Sequence, residues 1–190
     1  MMPLRVNLLA VLLFLIGSSG SAWADDYTET IKIFKEAGTS AGFFGNSYGY
    51  AVFPTIGKGG VGIGGAYGKG RVYRKGAYVG NTSMTQLTVG WQLGGQGYSQ
   101  IIFFQDQRAF DEFTTGKFEF GAQATAVAIT AGASASASTT GISASASGGK
   151  HDATTAGSYH KGMATFTVAK GGLMYEASIG GQKFKYTPKK

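Results

Sequence analysis

The clearest pattern in the chain is an alternation. From residue 84 to residue 93, Thr85, Leu87, Val89, Trp91 and Leu93 fall on one side, and Gln86, Thr88, Gly90 and Gln92 on the other. Period two of this kind marks a strand with an apolar and a polar face. Residues 48–56 and 60–67 keep the same period into a glycine-dense stretch. There Val61, Ile63, Gly65 and Tyr67 share one face, and Gly60, Gly62, Gly64 and Ala66 share the other. Each interior glycine costs a helix about 1 kcal/mol relative to alanine, so residues 49–75 are not helical. A strand with one face reduced to hydrogen suits close backbone approach or sharp curvature. Ile101, Ile102, Phe103 and Phe104 show no polar alternate and predict a strand buried on both faces.

Other segments follow different rules. Ile31, Phe34, Gly38 and Ala41 recur at three- and four-residue spacing, which predicts an amphipathic helix over residues 27–41 docked on the protein's own sheet. Asp106 can cap a second, short helix running to about Thr114, with Ala109, Phe110 and Phe113 inward. Strands are expected over residues 117–129, 159–168, 173–179 and 182–186, the middle two forming a hairpin around Lys170, Gly171 and Gly172. Turns are expected at Lys75-Gly76, Gly80-Asn81 and Gly94-Gly95. About eight strands and two helices predict an α+β single domain. Its sheet would be curved, antiparallel and able to close on itself like a barrel.

Two segments stand apart. Residues 1–24 combine Arg5, an apolar run over residues 8–16 and the small-residue pattern Ala22-Trp23-Ala24, which fits a cleavable secretory signal. The apolar run is too short to span a bilayer. Cleavage after Ala24 leaves residues 25–190 as the mature domain. Residues 132–149 alternate serine and alanine around Thr139, Thr140 and Gly141, with Ile142 the sole large apolar side chain. So little apolar surface predicts a flexible loop, the alternative being a small-residue hairpin.

Charge then narrows the field. The chain carries 17 Lys and Arg against 10 Asp and Glu, a net charge of +7. After Glu36 no acid occurs before Asp106, while Lys58, Lys69, Arg71, Arg74 and Lys75 lie in that interval. Such a stretch suits an anionic partner, and the bland alternative is charge that only maintains solubility. Cysteine is absent, which excludes a lipid-modified cysteine anchor and any disulfide. With the signal, this points to the periplasm.

Catalytic chemistry finds little support. His151 beside Asp152 could form a base with its orienter or two metal ligands, but surface solvation accounts for both. Asp106, Asp111, Glu112 and Glu119 are explained by capping and helix solvation. Two overlapping G-x-G-x-x-G matches, over residues 57–62 and 60–65, lack a following helix and a later acid, so a dinucleotide site is rejected. No enzyme activity, cofactor, metal or nucleic-acid partner is expected.

YAVFPTIGKGGVGIGGAYGKGRVYR over 50–74, with GWQLGGQGYSQIIFF over 90–104, FDEFTTGKFEFGAQATAVA over 110–128 and GGLMYEASIGG over 171–181, resembles the SYLF domain. That family is a lipid-binding module of bacterial envelope proteins and of eukaryotic membrane and cortical-actin proteins. The resemblance covers nearly all of the mature chain and implies phospholipid binding. Lys58, Lys69, Arg71, Arg74 and Lys75 would meet anionic headgroups, with Tyr67, Tyr73 and Tyr78 either at the interfacial level or packed structurally. The acidic start of the first helix, Asp25, Asp26 and Glu29, argues against that helix as a membrane anchor. Actin bundling, known in eukaryotic relatives, does not suit a secreted bacterial protein. The alternative reading is a small outer-membrane β-barrel or another structural envelope protein.

Overall fold

The computed structural model describes residues 22–90, 96–129, 158–170 and 178–190. The expectations for residues 1–21, the Gly94-Gly95 turn, the Ser/Ala segment, His151, Asp152 and most of the 173–179 strand lie outside them. Three helices come first: α1 (Ala22–Glu36), α2 (Gly38–Ala41) and α3 (Phe43–Asn46). The strands β1 (Gly49–Arg74), β2 (Ala77–Gly90) and β3 (Gln96–Phe104) follow, then α4 (Gln107–Thr114), β4 (Val127–Ile129), β5 (Met163–Lys170) and β6 (Lys183–Pro188). Among the described residues they form one sheet in the order β4-β5-β3-β1-β2-β6.

That order corrects the expected architecture. The sheet is open: β4 and β6 are its end strands, no pair joins them, and it does not curl into a barrel. It is also mixed, because β4 runs parallel to β5 while the other pairs are antiparallel. Helices pack on both faces instead. The open sheet of the described residues lends no support to the outer-membrane barrel alternative.

Strand β1 is long because it contains its own reversal. Its first part pairs with β3 from Gly49↔Phe104 to Lys58↔Gln96, and its later part pairs with β2 from Gly62↔Gly90 to Arg74↔Ala77. The two parts lie against each other, since Lys75 N–H donates to Tyr48 O at 3.1 Å. Glycine makes this approach possible. A Cβ on Gly70 would stand 2.7 Å from the Phe53 ring and 2.8 Å from Val52 O. The two strands expected over residues 48–56 and 60–67 are these two arms. The next reversal is the two-residue turn Lys75-Gly76, with φ of 49° and 81°, as a primed hairpin turn demands.

Each sheet face has its own core. On one face α4 buries Ala109, Phe110 and Phe113 against Ala51, Phe53, Phe104, Met84 and Phe184. Asp106 starts this helix as expected, its Oδ1 accepting from Ala109 N–H at 2.9 Å. On the other face α1 brings Tyr27 and Phe34 onto Tyr50, Val52, Ile101, Phe103 and Phe166. The docked amphipathic helix is therefore present, although it ends at Glu36, and the 37–41 part belongs to α2 after a break. There Ser40 Oγ donates to Phe34 O at 2.6 Å. Ile101, Ile102, Phe103 and Phe104 are fully buried, alternating between the two cores.

Three local expectations fail for identifiable reasons. Gly80 and Asn81 continue β2 instead of turning, and the bare Gly80 receives the Tyr186 ring, whose hydroxyl donates to Val79 O at 3.0 Å. Of the 117–129 segment only Val127–Ile129 is a strand. Its earlier part lies along β6, with Phe184 N–H donating to Phe118 O at 2.9 Å and Phe120 N–H to Gln182 O at 3.0 Å. The third concerns which side of β2 is inside. Leu87 is 76% exposed, whereas Gln86 is turned inward and its Nε2 donates to Gly180 O at 2.9 Å. Met84, paired with Phe184 in the core, sets the register that Gln86 must follow.

Candidate functional site

Helix α1 covers only part of its face. Beyond it, the later arm of β1, together with β2 and β6, presents bare sheet. Strand pairing aligns their outward residues in rows. Tyr67, Thr85 and Lys183 form one row, Lys69, Ser83 and Lys185 the next, and Arg71, Asn81 and Thr187 a third. Adjacent strands lie about 4.8 Å apart, so Lys69 and Lys185 stand on either side of Ser83 at about 10 Å from each other. Tyr67, Lys69, Thr85, Lys183 and Lys185 are all exposed. An open trough of about 450 Å³ runs here, bounded at the β6 edge by Lys117 and Glu119.

The electrostatics are one-sided. None of the strands β1 to β6 contains an aspartate or glutamate. Glu119, at the trough's outer wall, has its Oε2 3.7 Å from Lys183 Nζ. Two of the other carboxylates expected to be structural belong to α4 and its cap. Asp106 caps α4, and Glu112 Oε2 lies 3.2 Å from Arg108 Nη1. Among the described residues no group of three or more His, Asp or Glu is placed to hold a metal ion.

The candidate binding residues read from sequence do not form one patch. Tyr67 and Lys69 sit together on the bare face. Arg71 shares that face but is half-buried, its guanidinium 4.2 Å from the Tyr27 ring centre and 5.2 Å from that of Tyr78. Burial raises the Tyr27 pKa, and Arg71 opposes that rise. Tyr73 is half-buried and stacks on Tyr50 at 4.9 Å. Arg74 lies on the opposite face, 6.0 Å from the Phe110 ring centre. Lys75 occupies the hairpin turn, 5.8 Å from that of Tyr48, and Lys58 pairs with Gln96 at the far end of the sheet. Lys183 and Lys185 join Tyr67 and Lys69 on this face, outside the stretch singled out from sequence. The alternation Lys183-Phe184-Lys185-Tyr186 carried the signal, but only pairing with β2 shows which face the lysines join.

Residues 85–187, a little over half of the chain, match the family described as Las17-binding protein actin regulator, Ysc84. The chain belongs to this family. It is the family to which the SYLF resemblance pointed, and it is non-catalytic, so this chain is not an enzyme. The match begins within β2 and ends within β6, at Thr187. Of the trough's lining residues, Tyr67 and Ser83 precede it, as does the neighbouring Lys69. No curated protein matches the chain. Among the described residues no helix is long and apolar enough to cross a membrane.

Proposed function

We propose that this protein binds anionic phospholipid surfaces peripherally, through the bare face that carries Tyr67, Lys69, Lys183 and Lys185. The observation that carries the reading is the alignment of these cations across three strands of an acid-free sheet. Family membership and the lipid-binding character of the SYLF resemblance support it. Near an anionic surface each Lys contributes about 1 kcal/mol, so Lys69 and Lys185 supply roughly 2 kcal/mol, and Lys183, beside Glu119, adds up to about 1 more. Lys58, Arg71, Arg74 and Lys75 add to the positive field without sharing one contact plane. The site of action in this reading is the periplasm, reached by removal of residues 1–24. Cleavage after Ala24 would leave α1 beginning with Asp25 and Asp26, whose charges favour a helix N-terminus.

Sedimentation of the mature protein with vesicles decides the matter. Vesicles containing phosphatidylglycerol should carry the protein down, and pure phosphatidylcholine vesicles should not. Replacing Lys69, Lys183 and Lys185 by Gln should weaken the association by about 2–3 kcal/mol at low ionic strength. Arg74→Gln, on the other face, should matter far less. Added salt should act in the same direction as the triple substitution, because exposed charges are screened over about 8–10 Å. Equal sedimentation of the triple variant and wild type would remove the assignment to this face. The family's description names a protein partner. Capture of an acidic protein by the same lysines, without vesicle binding, would replace the lipid reading.

A further inference from the structure

The three exposed large apolar side chains among the described residues are neighbours. Ile63 is 69% exposed, Leu87 76% and Tyr67 50%. Pairing places Ile63 opposite Val89, Gly65 opposite Leu87, and Tyr67 opposite Thr85. Leu87 is therefore the diagonal neighbour of both Ile63 and Tyr67, within side-chain reach across the strand pair. All three point to the same face as Lys69, Lys183 and Lys185, and they lie at the end of the sheet where β1 reverses.

The order along the strand is informative. From the reversal outward, β1 presents Ile63, then the side-chain-free Gly65, then Tyr67, then Lys69. At about 3.3 Å per residue, Ile63 and Lys69 are separated by about 20 Å. Aliphatic, aromatic and cationic groups follow one another as acyl chains, interfacial region and headgroups do in one leaflet. Lys58, also near the reversal, has a long apolar stem that lets its ammonium reach outward to the headgroups.

We infer that Ile63 and Leu87 form a membrane-inserting tip, which enters the upper acyl region of an anionic bilayer while Tyr67 rests at the interface and Lys69, Lys183 and Lys185 meet the headgroups. The inference rests on the membrane-surface reading above and adds an orientation and an apolar contribution to it. Charge complementarity selects this occupant, since the strands bearing the patch carry several cations and no carboxylate. Size selects it too. Three side chains fall well short of the roughly 800 Å² per partner of a stable protein interface, whereas insertion beside a cationic row needs no such area.

The absence of cysteine allows a clean test. Single variants Ile63→Cys and Lys185→Cys, each labelled with an environment-sensitive fluorophore, are mixed with phosphatidylglycerol vesicles bearing spin labels either on the upper acyl chain or on the headgroup. The label at position 63 should shift to the blue and be quenched by the acyl-chain spin label, and that at position 185 by the headgroup label alone. In parallel, Ile63→Ser combined with Leu87→Ser should weaken vesicle association about tenfold, an effect that persists at high salt. Both positions are exposed, so an unchanged thermal midpoint is expected and confirms that the variant is folded. Protein that sediments with vesicles while the label at position 63 stays in water overturns the inference and leaves the surface reading standing. Failure to sediment with any vesicle overturns both. A blue shift without vesicles that grows with protein concentration overturns the inference by assigning the patch to a second copy of the chain.

Discussion

Arg71 holds its guanidinium 4.2 Å from the centre of the Tyr27 ring and so fastens α1 to the later arm of β1. A cation over an aromatic face is worth about 0.5–2 kcal/mol, depending on how dry the contact is. Arg71→Gln should lower the unfolding free energy by about 1 kcal/mol. Because Arg71 opposes the burial-driven rise of the Tyr27 pKa, the same substitution should move that pKa further up. Phenolate absorbance in an alkaline titration, compared with a Tyr27→Phe background, reads the second effect independently of the first.

The side chains of Gln100 and Gln182, both fully buried, close a cyclic amide pair, with Nε2–Oε1 distances of 2.9 and 3.1 Å. Gln182 Nε2 also reaches Tyr98 Oη at 3.1 Å. Gln182→Leu should cost about 2–3 kcal/mol, because it leaves a buried amide without partners. Combining it with Gln100→Leu should cost less than the sum of the single changes. Denaturant unfolding of the four proteins in the cycle measures the coupling, and simple additivity would show that the pair does not act as a unit.

Glycines of β1 differ sharply in what they tolerate. Gly70→Ala drives a methyl into the Phe53 ring and Val52 carbonyl and should destabilise by about 1–3 kcal/mol. A Cβ on Gly57 meets nothing within 4 Å, so Gly57→Ala should stay within about 0.5 kcal/mol of wild type. Thermal midpoints of the two variants provide the comparison.

Two buried tyrosines set an alkaline limit. Burial pushes the Tyr50 pKa up to about 12 and raises that of Tyr98 further, the latter opposed by its hydrogen bond with Gln182. Both values lie above the unfolded value of about 10, so the folded state favours the neutral phenol. Their stabilisation is complete below pH 10 and is lost as pH rises from there through the folded pKa values. Wild type should lose about 2 kcal/mol more than Tyr50→Phe between pH 10 and 12, as measured by urea unfolding at each pH.

What the sequence disclosed was mostly local. Asp106 with Phe110 and Phe113 specifies α4 without help from distant residues, and the four apolar residues from Ile101 to Phe104 specify a doubly covered strand. The Lys75-Gly76 turn likewise needs only its own backbone. What could not be read depends on pairing. Leu87 belongs to an apolar alternation yet faces outward, because Met84 is held in register by Phe184, a residue one hundred positions away. The two arms of β1 are legible as separate strands over residues 48–56 and 60–67, but their packing against each other rests on the bare Gly70 beside Phe53. For the same reason the binding face was half visible. Tyr67 and Lys69 belong to one stretch, but Lys183 and Lys185 reach them only through β2.

Strand β6 follows all the other described strands in the chain, and it is bound to β2 across a separation of 103 residues, as in the bond from Thr82 Oγ1 to Lys185 O. Until it is synthesised, the stretch of β2 from Gly80 to Thr85 has an unpaired ladder of amides and carbonyls on that side. The β1–β2 hairpin closes early through local contacts, so a nascent chain exposes this template for the rest of translation. The same six residues that carry Lys183 and Lys185 to the binding face therefore act as a stopper against self-templating. A chain released without them is predisposed to grow edge to edge into aggregates rather than to remain a folded, weaker binder.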